Sequence, residues 1–174
     1  QHVFQKLKPI CVGLTQTTLA LNGPKGSIAE LTSKLELLDG IVSAFPSVDS
    51  PLDDKLADYI FFPLSQVLKL SQKVSIRCLE LTLSVLAVLI EQGWRQRLQP
   101  QLATQILILC TLLASDKPSG LASSDTTVEL RTSALRCLAG TFEALNMSEE
   151  GRKLWQGEAN MPQLGQTLST ILDA

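Results

Sequence analysis

Apolar residues recur three and four positions apart along most of this chain, and this spacing constrains the fold more than any other sequence feature. Such spacing places apolar side chains along one stripe of an α-helix, which turns once every ~3.6 residues. The clearest case lies between residues 27 and 45, where the apolar positions are Ile28, Leu31, Leu35, Leu38, Val42 and Phe45. No segment alternates apolar and polar residues as a half-buried strand does. The sequence therefore predicts an all-α fold.

Residues that start and stop helices divide the chain into about eight predicted helices. Ser27 with Glu30, and Thr126 with Glu129, each form a capping box, in which side-chain oxygens accept hydrogen bonds from free backbone N–H groups at a helix start. Ser71 is predicted to cap a further helix. The predicted helices cover residues 3–19, 27–45, 50–70, 71–92, 100–115, 126–145, 148–157 and 160–171.

Two prolines fall inside predicted helices, where proline removes a backbone donor and crowds the preceding turn. Pro63 lies near the centre of the helix predicted over residues 50–70 and is expected to bend or split it. Pro9 is expected either to start the regular part of the first helix or to bend it. Helix-boundary signals flank Phe45 and Pro46, so the helices over 27–45 and 50–70 are predicted to form a hairpin.

Two predicted helices, over residues 79–90 and 102–113, are apolar on most of their circumference. A helix of this kind is buried on several sides, whereas a helix with one apolar stripe is buried on one. Val74 and Val128 begin similar four-residue segments 54 positions apart, which indicates an internal repeat. We therefore interpret residues 1–174 as one segment of an α-solenoid with about four HEAT-like antiparallel hairpins. This segment is expected to be the amino-terminal part of a longer solenoid.

Charge, hydropathy and cysteine content argue against several functional classes. The net charge is −2, and nucleic-acid binding normally requires a basic surface. The longest apolar stretch, Leu81–Ile90, is too short for a membrane span of about 20 residues. The hydrophobic content of 45% is more than the hairpins need to bury, which predicts a neighbouring domain or a protein partner. Four widely separated cysteines are expected to be buried thiols in a reducing cytoplasmic and nuclear location: Cys11, Cys78, Cys110 and Cys137.

Side chains that carry catalysis or hold metals are scarce in this sequence. The single histidine, His2, lies at the terminus, which argues against Ser-His and Cys-His arrangements. No group of His, Cys, Asp and Glu has the spacing of a metal-ligand set. The segment Asn22–Gly26 lacks the phosphate-loop pattern and is predicted to be a turn. We therefore expect no enzyme activity, no cofactor, no metal and no small-molecule substrate.

Trp94, Arg95 and Arg97 form the candidate protein-binding site, at the end of a predicted helix. Tryptophan and arginine are the residue types most enriched at the energetic centres of protein interfaces. The alternative interpretation is that Trp94 packs over the end of the hairpin while both arginines are solvated.

Two segments carry a more specific signal than helical periodicity. Phe4–Val12 has the pattern aromatic-x-x-Leu-basic-Pro-aliphatic-Cys-Val, and Tyr59–Leu64 has the pattern Tyr-aliphatic-x-Phe-Pro-Leu. Both resemble the amino-terminal region of the largest, Tel-interacting subunit of the Triple-T complex. The helix predicted from Val128 to Leu145 is also similar to that family.

The resemblance implies a HEAT-repeat solenoid that acts in a co-chaperone complex. With two partner subunits, this complex helps the ninety-kilodalton heat-shock chaperone to mature and stabilise the phosphatidylinositol-3-kinase-related kinases. These include the TOR and DNA-damage-checkpoint kinases, and the family is associated with telomere maintenance. The implied partners are the other Triple-T subunits and these kinases, reached through chaperone machinery. The resemblance transfers no catalytic or partner-contact residue to this sequence.

A transport-type protein of helical repeats, such as a karyopherin-like cargo carrier, is the alternative from a different functional class. Its concave groove would be expected to present rows of tryptophan and asparagine at the repeat spacing. The chain contains two tryptophans, Trp94 and Trp155. The sequence therefore favours the co-chaperone scaffold and leaves the carrier as the alternative.

Overall fold

The computed structural model describes residues 2–44, 54–91, 103, 105–107, 110 and 127–147. The helices are α1 (His2–Ala20), α2 (Ile28–Ser43), α3 (Asp54–Lys69), α4 (Ile76–Glu91) and α5 (Val128–Met147). Residues 103, 105–107 and 110 are also helical. Every regular element within these ranges is a helix, which confirms the predicted all-α fold.

The helices pack in two layers. Helix α1 packs against α2 and α3, and α4 packs against α2, α3 and α5. The pairs α1–α2 and α3–α4 are therefore helical hairpins, and the second hairpin stacks on the first. Two hydrogen bonds between Ser65 and Gln105 attach the helical residues near 105 to α3. We call α1, α3 and these residues the first layer, and α2, α4 and α5 the second layer. This arrangement confirms the α-solenoid architecture.

The predicted hairpin between residues 27–45 and 50–70 is wrong. Helices α2 and α3 are not among the pairs that pack extensively; α2 packs against α1 and α4. The buried stripe of α2, made of Leu31, Leu35, Leu38 and Val42, is taken up by these two neighbours. The connections from α1 to α2 and from α3 to α4 are short, and both join helices that pack against each other.

The start of α2 confirms the predicted cap. The Ser27 side chain accepts a hydrogen bond from the Glu30 backbone N–H at 3.2 Å, and Ser27 has extended backbone angles. The Glu30 carboxylate accepts from Lys34, so its observed role is an ion pair along the helix. Ser27 therefore satisfies one of the N–H groups that a helix start leaves free.

Two other helix starts differ from the prediction. Helix α4 begins at Ile76 with Ser75 as its cap instead of Ser71, and the Ser75 hydroxyl accepts from the Cys78 N–H at 3.3 Å. Residues 71–74 form a turn that buries Val74, so the helix begins later in the sequence than predicted. Helix α5 is capped by Thr127, which accepts from the Leu130 N–H at 3.1 Å. The predicted cap Thr126 lies outside the described residues.

Neither proline interrupts its helix. Helix α3 continues through Pro63, so it is not split there, and α1 already runs from His2 through Pro9, so Pro9 does not start it. A bend at either proline stays a prediction. Pro63 is buried, and the core side chains Ile60 and Leu64 flank it within the same helix. Packing on both sides of the proline holds the helix together where one backbone hydrogen bond is missing.

Among the described helices, α4 packs against the largest number of neighbours. It is buried on nearly every side, which confirms the prediction that a helix over 79–90 is enclosed. Its buried residues are Cys78, Leu79, Leu81, Thr82, Leu83, Val85, Leu86, Ala87, Leu89 and Ile90. A helix with apolar residues all round requires neighbours on several faces, and α4 has α2, α3 and α5.

The register predicted for the internal repeat does not align equivalent positions. The caps Ser75 and Thr127 stand 52 positions apart, not 54. At the predicted spacing, Val74 would match Val128, yet Val74 is buried and Val128 is 76% exposed.

Two further sequence expectations concern the thiols and the membrane. All four cysteines are buried and unpaired by disulfides, as predicted. Among the described residues, no helix is both long and apolar enough to traverse a bilayer.

Gly140 in α5 lies directly against Ile90 of α4. A Cβ atom at this position would overlap the Ile90 side chain, whereas a Cβ atom at Gly40 in α2 would meet nothing within 4 Å. Alanine normally stabilises a helix interior over glycine by about 1 kcal/mol. We therefore expect Gly40→Ala to stabilise the fold by up to about 1 kcal/mol, and Gly140→Ala to destabilise it by about 1–3 kcal/mol through overpacking.

Denaturant unfolding of the two variants beside the parent chain measures this difference. Both substitutions remove the same backbone freedom, so the open helix position in α2 controls for the change in helix propensity. Equal stabilisation by the two variants would show that α4 and α5 do not approach closely at Gly140.

Candidate functional site

The residues predicted to bind a partner, Trp94, Arg95 and Arg97, lie outside the described residues. Helix α4 ends just before them, at Glu91. Their role as a contact site therefore stays a prediction.

The described surface contains a groove that the sequence analysis missed. It lies between α1 and α3, encloses about 370 Å³, and is lined by Cys11, Val12, Thr15, Gln16, Tyr59 and Phe62. Phe62 is 55% exposed, and Val12 and Tyr59 are each 42% exposed. Large apolar side chains grouped in this way on a surface are typical of interaction sites.

The packing of α3 explains why two aromatic side chains face outward. Ile60, Phe61 and Leu64 are buried against the rest of the core, and they occupy the inward face of the helix. Tyr59 and Phe62 are three positions apart, so they share a different face. The run from Tyr59 to Leu64 contains more apolar residues than one buried stripe requires, and that excess was the sequence signal for the groove.

The facing side of the groove comes from α1. Leu7, Cys11 and Leu14 are buried, and they form the face of α1 that packs against the core. Val12 and Gln16, four positions apart, lie on the outer side. The Thr15 hydroxyl donates to the Cys11 carbonyl at 2.9 Å, so this donor is already used within α1. The groove therefore offers an apolar floor with few polar groups.

Charges are distributed unequally between the two layers. No charged residue occurs from Pro9 to Pro24 or from Tyr59 to Leu68, the two segments that carry the groove. The second layer, in contrast, carries ion pairs at its surface: Lys34–Glu30, Arg77–Glu36, Arg77–Glu80 and Arg136–Glu91. The two segments that line the groove are thus uncharged, whereas the surface of the second layer carries ion pairs.

The ion pairs of the second layer support the fold. Arg136 donates two hydrogen bonds to Glu91, from Nε at 2.8 Å and from Nη2 at 2.6 Å, and joins α5 to α4. These bonds lower the pKa of the Glu91 carboxyl and raise the pKa of the Arg136 guanidinium. Because the pKa of Glu91 is lower in the folded chain, its stabilising contribution is present at neutral pH. That contribution is lost as the pH falls through the folded-state pKa.

A second network joins α1 to α2. The Lys34 ammonium group donates to Thr17 Oγ1 and to Glu30 Oε1, both at 2.6 Å. The hydrogen bond from Lys34 lowers the pKa of the Glu30 carboxyl, and the charge of Lys34 acts in the same direction. These contacts position the two helices of the first hairpin and do not form a reactive centre.

The cysteines are placed for packing. Burial raises the pKa of the Cys11 thiol to about 11. Cys110 hydrogen-bonds to Cys137, and this bond together with burial raises the pKa of the Cys110 thiol well above its usual value. Cys137 itself donates to the Leu83 carbonyl at 3.2 Å. A cysteine nucleophile requires a lowered pKa and access to solvent, and Cys11 and Cys110 have the opposite properties.

No group of three or more His, Cys, Asp or Glu side chains is arranged to hold a metal ion within the described ranges. The α1–α3 groove is lined mainly by apolar side chains and by no charged one.

The burial of the thiols predicts slow reaction with thiol reagents. At about pH 8 a thiol with a pKa near 11 is only about 0.1% thiolate, and all four cysteines are also shielded from solvent. We expect a disulfide reagent such as dithionitrobenzoate to titrate all four thiols rapidly in denaturant and none within minutes in the native chain. A native thiol that reacts within the mixing time would contradict the burial described here.

Comparison with known proteins identifies the family. No solved structure matches this chain. The family model of the TTI1 N-terminal TPR domain matches residues 4–174, which is nearly all of the sequence. The resemblance carried by Phe4–Val12 and Tyr59–Leu64 is therefore confirmed, although the family description names TPR repeats where the spacing was interpreted as HEAT-like. Both repeat types are stacked helical hairpins, and the two-layer packing agrees with that architecture. The chain belongs to the family of the TTI1 N-terminal TPR domain, the amino-terminal region of the Tel2-interacting subunit of the Triple-T (TTT) complex.

Proposed function

We propose that this chain is a non-enzymatic scaffold that binds other proteins as part of the Triple-T complex. Membership of the TTI1 N-terminal TPR domain family is the observation that carries the proposal. The fold supports it because a stack of helical hairpins presents an extended surface instead of an enclosed pocket. The groove between α1 and α3 provides a described surface with the composition of an interface core.

The proposal extends to the kinases. Through the complex and the ninety-kilodalton heat-shock chaperone, the scaffold contributes to the maturation and stability of phosphatidylinositol-3-kinase-related kinases. TOR signalling, the DNA-damage checkpoint and telomere maintenance would then depend on it indirectly. Family membership supports this role over the karyopherin-like alternative, which no described feature favours.

The chemistry of the described residues supports a role without catalysis. Burial raises the pKa of the Cys11 thiol, and the pKa of the Cys110 thiol is raised by its hydrogen bond to Cys137 and by burial. The Arg136–Glu91 ion pair lies at the surface of the second layer. Contact surfaces need none of the perturbed acids and bases that an active site assembles. The proposed location is the cytoplasm and nucleus, which agrees with four unpaired cysteines.

Removing residues 1–174 from the intact protein tests the scaffold function. We expect the truncated protein to capture less of at least one Triple-T partner, and we expect kinase abundance in the same cells to fall. The intact protein with Leu37→Gln serves as the control, because Leu37 is 54% exposed on α2, away from the groove. Truncated protein that accumulates normally and leaves both partner capture and kinase abundance unchanged would remove the case for this function.

Trp94, Arg95 and Arg97 are proposed as a second contact site of the same scaffold. Replacing all three by alanine is expected to weaken partner capture while the melting temperature stays nearly unchanged, because solvated contact residues contribute little to folding. Melting and capture are measured on the same preparation. A lower melting temperature, with capture reduced only in proportion to the unfolded fraction, would show that these residues seal the end of a hairpin instead.

A further inference from the structure

We propose that Lys25, Lys69 and Lys73 form a docking surface for an acidic segment of a partner protein. All three side chains are exposed, and they lie where the turn between α1 and α2 meets the turn between α3 and α4. We call them the lysine cluster. The inference rests on the proposed scaffold function and adds to it a surface and the charge of the segment that binds there.

Charge is distributed unevenly along this chain. It contains 15 Lys and Arg and 17 Asp and Glu, yet residues 1–29 and 59–79 contain six basic residues and no acidic one. All 17 acidic residues therefore fall in the rest of the chain. Because α1 packs against α3, the fold brings the two acid-free segments together. A chain with a net charge of −2 thus has a basic region.

Contacts between α2 and α4 place the two turns at the same end of the molecule. Thr32 Oγ1 lies 3.1 Å from Cys78 Sγ, and the Ser84 hydroxyl donates to Asp39 at 3.0 Å. Both helices therefore run in the same direction with their starts side by side, and the turns that lead into them are neighbours. Since the axes of packed helices are about 8–10 Å apart, a segment of a few residues can reach across the lysine cluster.

Within the described residues, no acidic side chain forms an ion pair with the lysine cluster. Glu30 and Glu80 are the acidic residues that follow the two turns in the sequence. Glu30 pairs with Lys34 at 2.6 Å, and Glu80 pairs with Arg77 at 3.3 Å. Asp54 begins α3, at the opposite end of that helix from the cluster. The cluster is therefore open to a carboxylate from outside the described fold.

The requirements of folding do not explain two of the three lysines. Lys69 lies in the last turn of α3, where a positive charge is favourable. Lys25 and Lys73, in contrast, each stand two positions before a serine that caps a helix, Ser27 for α2 and Ser75 for α4. A positive charge near a helix start is unfavourable, because that end of the helix dipole is itself positive. Contact with a carboxylate would offset this repulsion.

The small extent of the lysine cluster favours a short acidic protein segment over a longer polyanion. Thr127 donates to Glu80, so the start of α5 lies beside the start of α4. The first turn of α5 carries the exposed Glu129. A nucleic acid or an anionic membrane presents its charges over a longer distance and would also approach this carboxylate. A short run of Asp and Glu can place its charges on the cluster alone.

Charge reversal in the intact protein tests the lysine cluster. The probe is a fluorescent octaglutamate peptide, and its binding is followed by anisotropy. Lys25→Glu with Lys73→Glu is expected to weaken binding about tenfold or more, because each reversed charge replaces an attraction by a repulsion. Lys6→Glu with Lys8→Glu, near the start of α1, changes the net charge equally and is expected to leave binding nearly unchanged. Equal weakening by the two pairs, or no binding to the parent protein, would overturn the inference.

Melting and other anions provide the next measurements. The variant with Lys25→Glu and Lys73→Glu is expected to melt at or above the temperature of the parent, because a carboxylate near a helix start is favourable. A clear loss of stability would show that these lysines serve the fold, which contradicts the inference. A single-stranded oligonucleotide and vesicles of phosphatidylcholine and phosphatidylserine are expected to bind more weakly than octaglutamate. Tighter binding of either would assign the cluster to a different class of partner.

Carbodiimide cross-linking of the complex isolated from cells identifies the source of the acidic segment. This reagent joins a lysine amine directly to a carboxylate that contacts it, and mass spectrometry identifies the joined peptides. We expect Lys25, Lys69 or Lys73 to be joined to Asp or Glu of a different protein. No link at these lysines, or links only to carboxylates of this same chain, would overturn the inference.

The inference and the scaffold function fail in different ways. If removal of residues 1–174 abolishes partner capture while Lys25→Glu with Lys73→Glu changes neither capture nor octaglutamate binding, the function stands and the assignment of the lysine cluster is wrong. If removal of the whole region leaves partner capture and kinase abundance unchanged, the scaffold function is wrong, whatever the octaglutamate titration shows.

Discussion

Burial of α4 against α2, α3 and α5 is the interaction on which the rest of the structure depends. The first hairpin is linked to the second partly through the contact of α2 with α4, and α5 joins the stack through the contact of α5 with α4. Stability of a repeat protein is approximately the sum of its units and the interfaces between neighbours. A single helix shared by several interfaces therefore couples units that would otherwise contribute separately. The close approach of Gly140 to Ile90 shows how far that coupling depends on the absence of one methyl group.

Polar groups inside the core are satisfied mostly within their own helices. The hydroxyls of Thr18 and Thr82 donate to the carbonyls of Leu14 and Cys78, both at 2.7 Å. Thr141 is an exception, because its buried hydroxyl oxygen has no hydrogen-bond partner. A buried hydroxyl without a partner costs about 1–3 kcal/mol, and we have no physical account of its presence in α5. The four cysteines are also buried, and none forms a disulfide. They fill space between helices and are shielded from reagents in solution.

The two layers differ in their ion pairs and in the apolar side chains that they expose. The second layer contains the enclosed helix α4 and the ion pairs that connect its neighbours, and its role is structural. The first layer leaves Phe62 and Val12 in contact with water, although apolar surface is worth about 25 cal/mol per Å² when it is removed from water. Side chains that stay exposed add little to the stability of the folded chain, and contact with another apolar surface would be favourable because it removes them from water.

Local periodicity and helix-start chemistry were enough to predict much of this protein from its sequence. The helical class, the cap of α2 at Ser27, the enclosure of α4 and the family all followed from signals confined to short segments. Each of these signals depends on neighbours within a few residues, and such interactions are present before the chain is compact. The cap of α4 was misplaced because burial of Val74, a tertiary contact, favours a turn where Ser71 could have started a helix.

Only the tertiary structure decided which helices pair, and it decided the groove for the same reason. An apolar stripe indicates that a helix packs against a neighbour, but it does not identify that neighbour. The predicted α2–α3 hairpin was therefore as plausible from the sequence as the observed α1–α2 and α3–α4 pairs. Pro63 stays within an unbroken helix because packing around it outweighs a local preference. Tyr59 and Phe62 were visible as motif residues, but their exposure beside Val12 arises only when α3 stacks on α1. The sequence by itself determined the helices and the family, and packing between distant segments determined the surface that remains open.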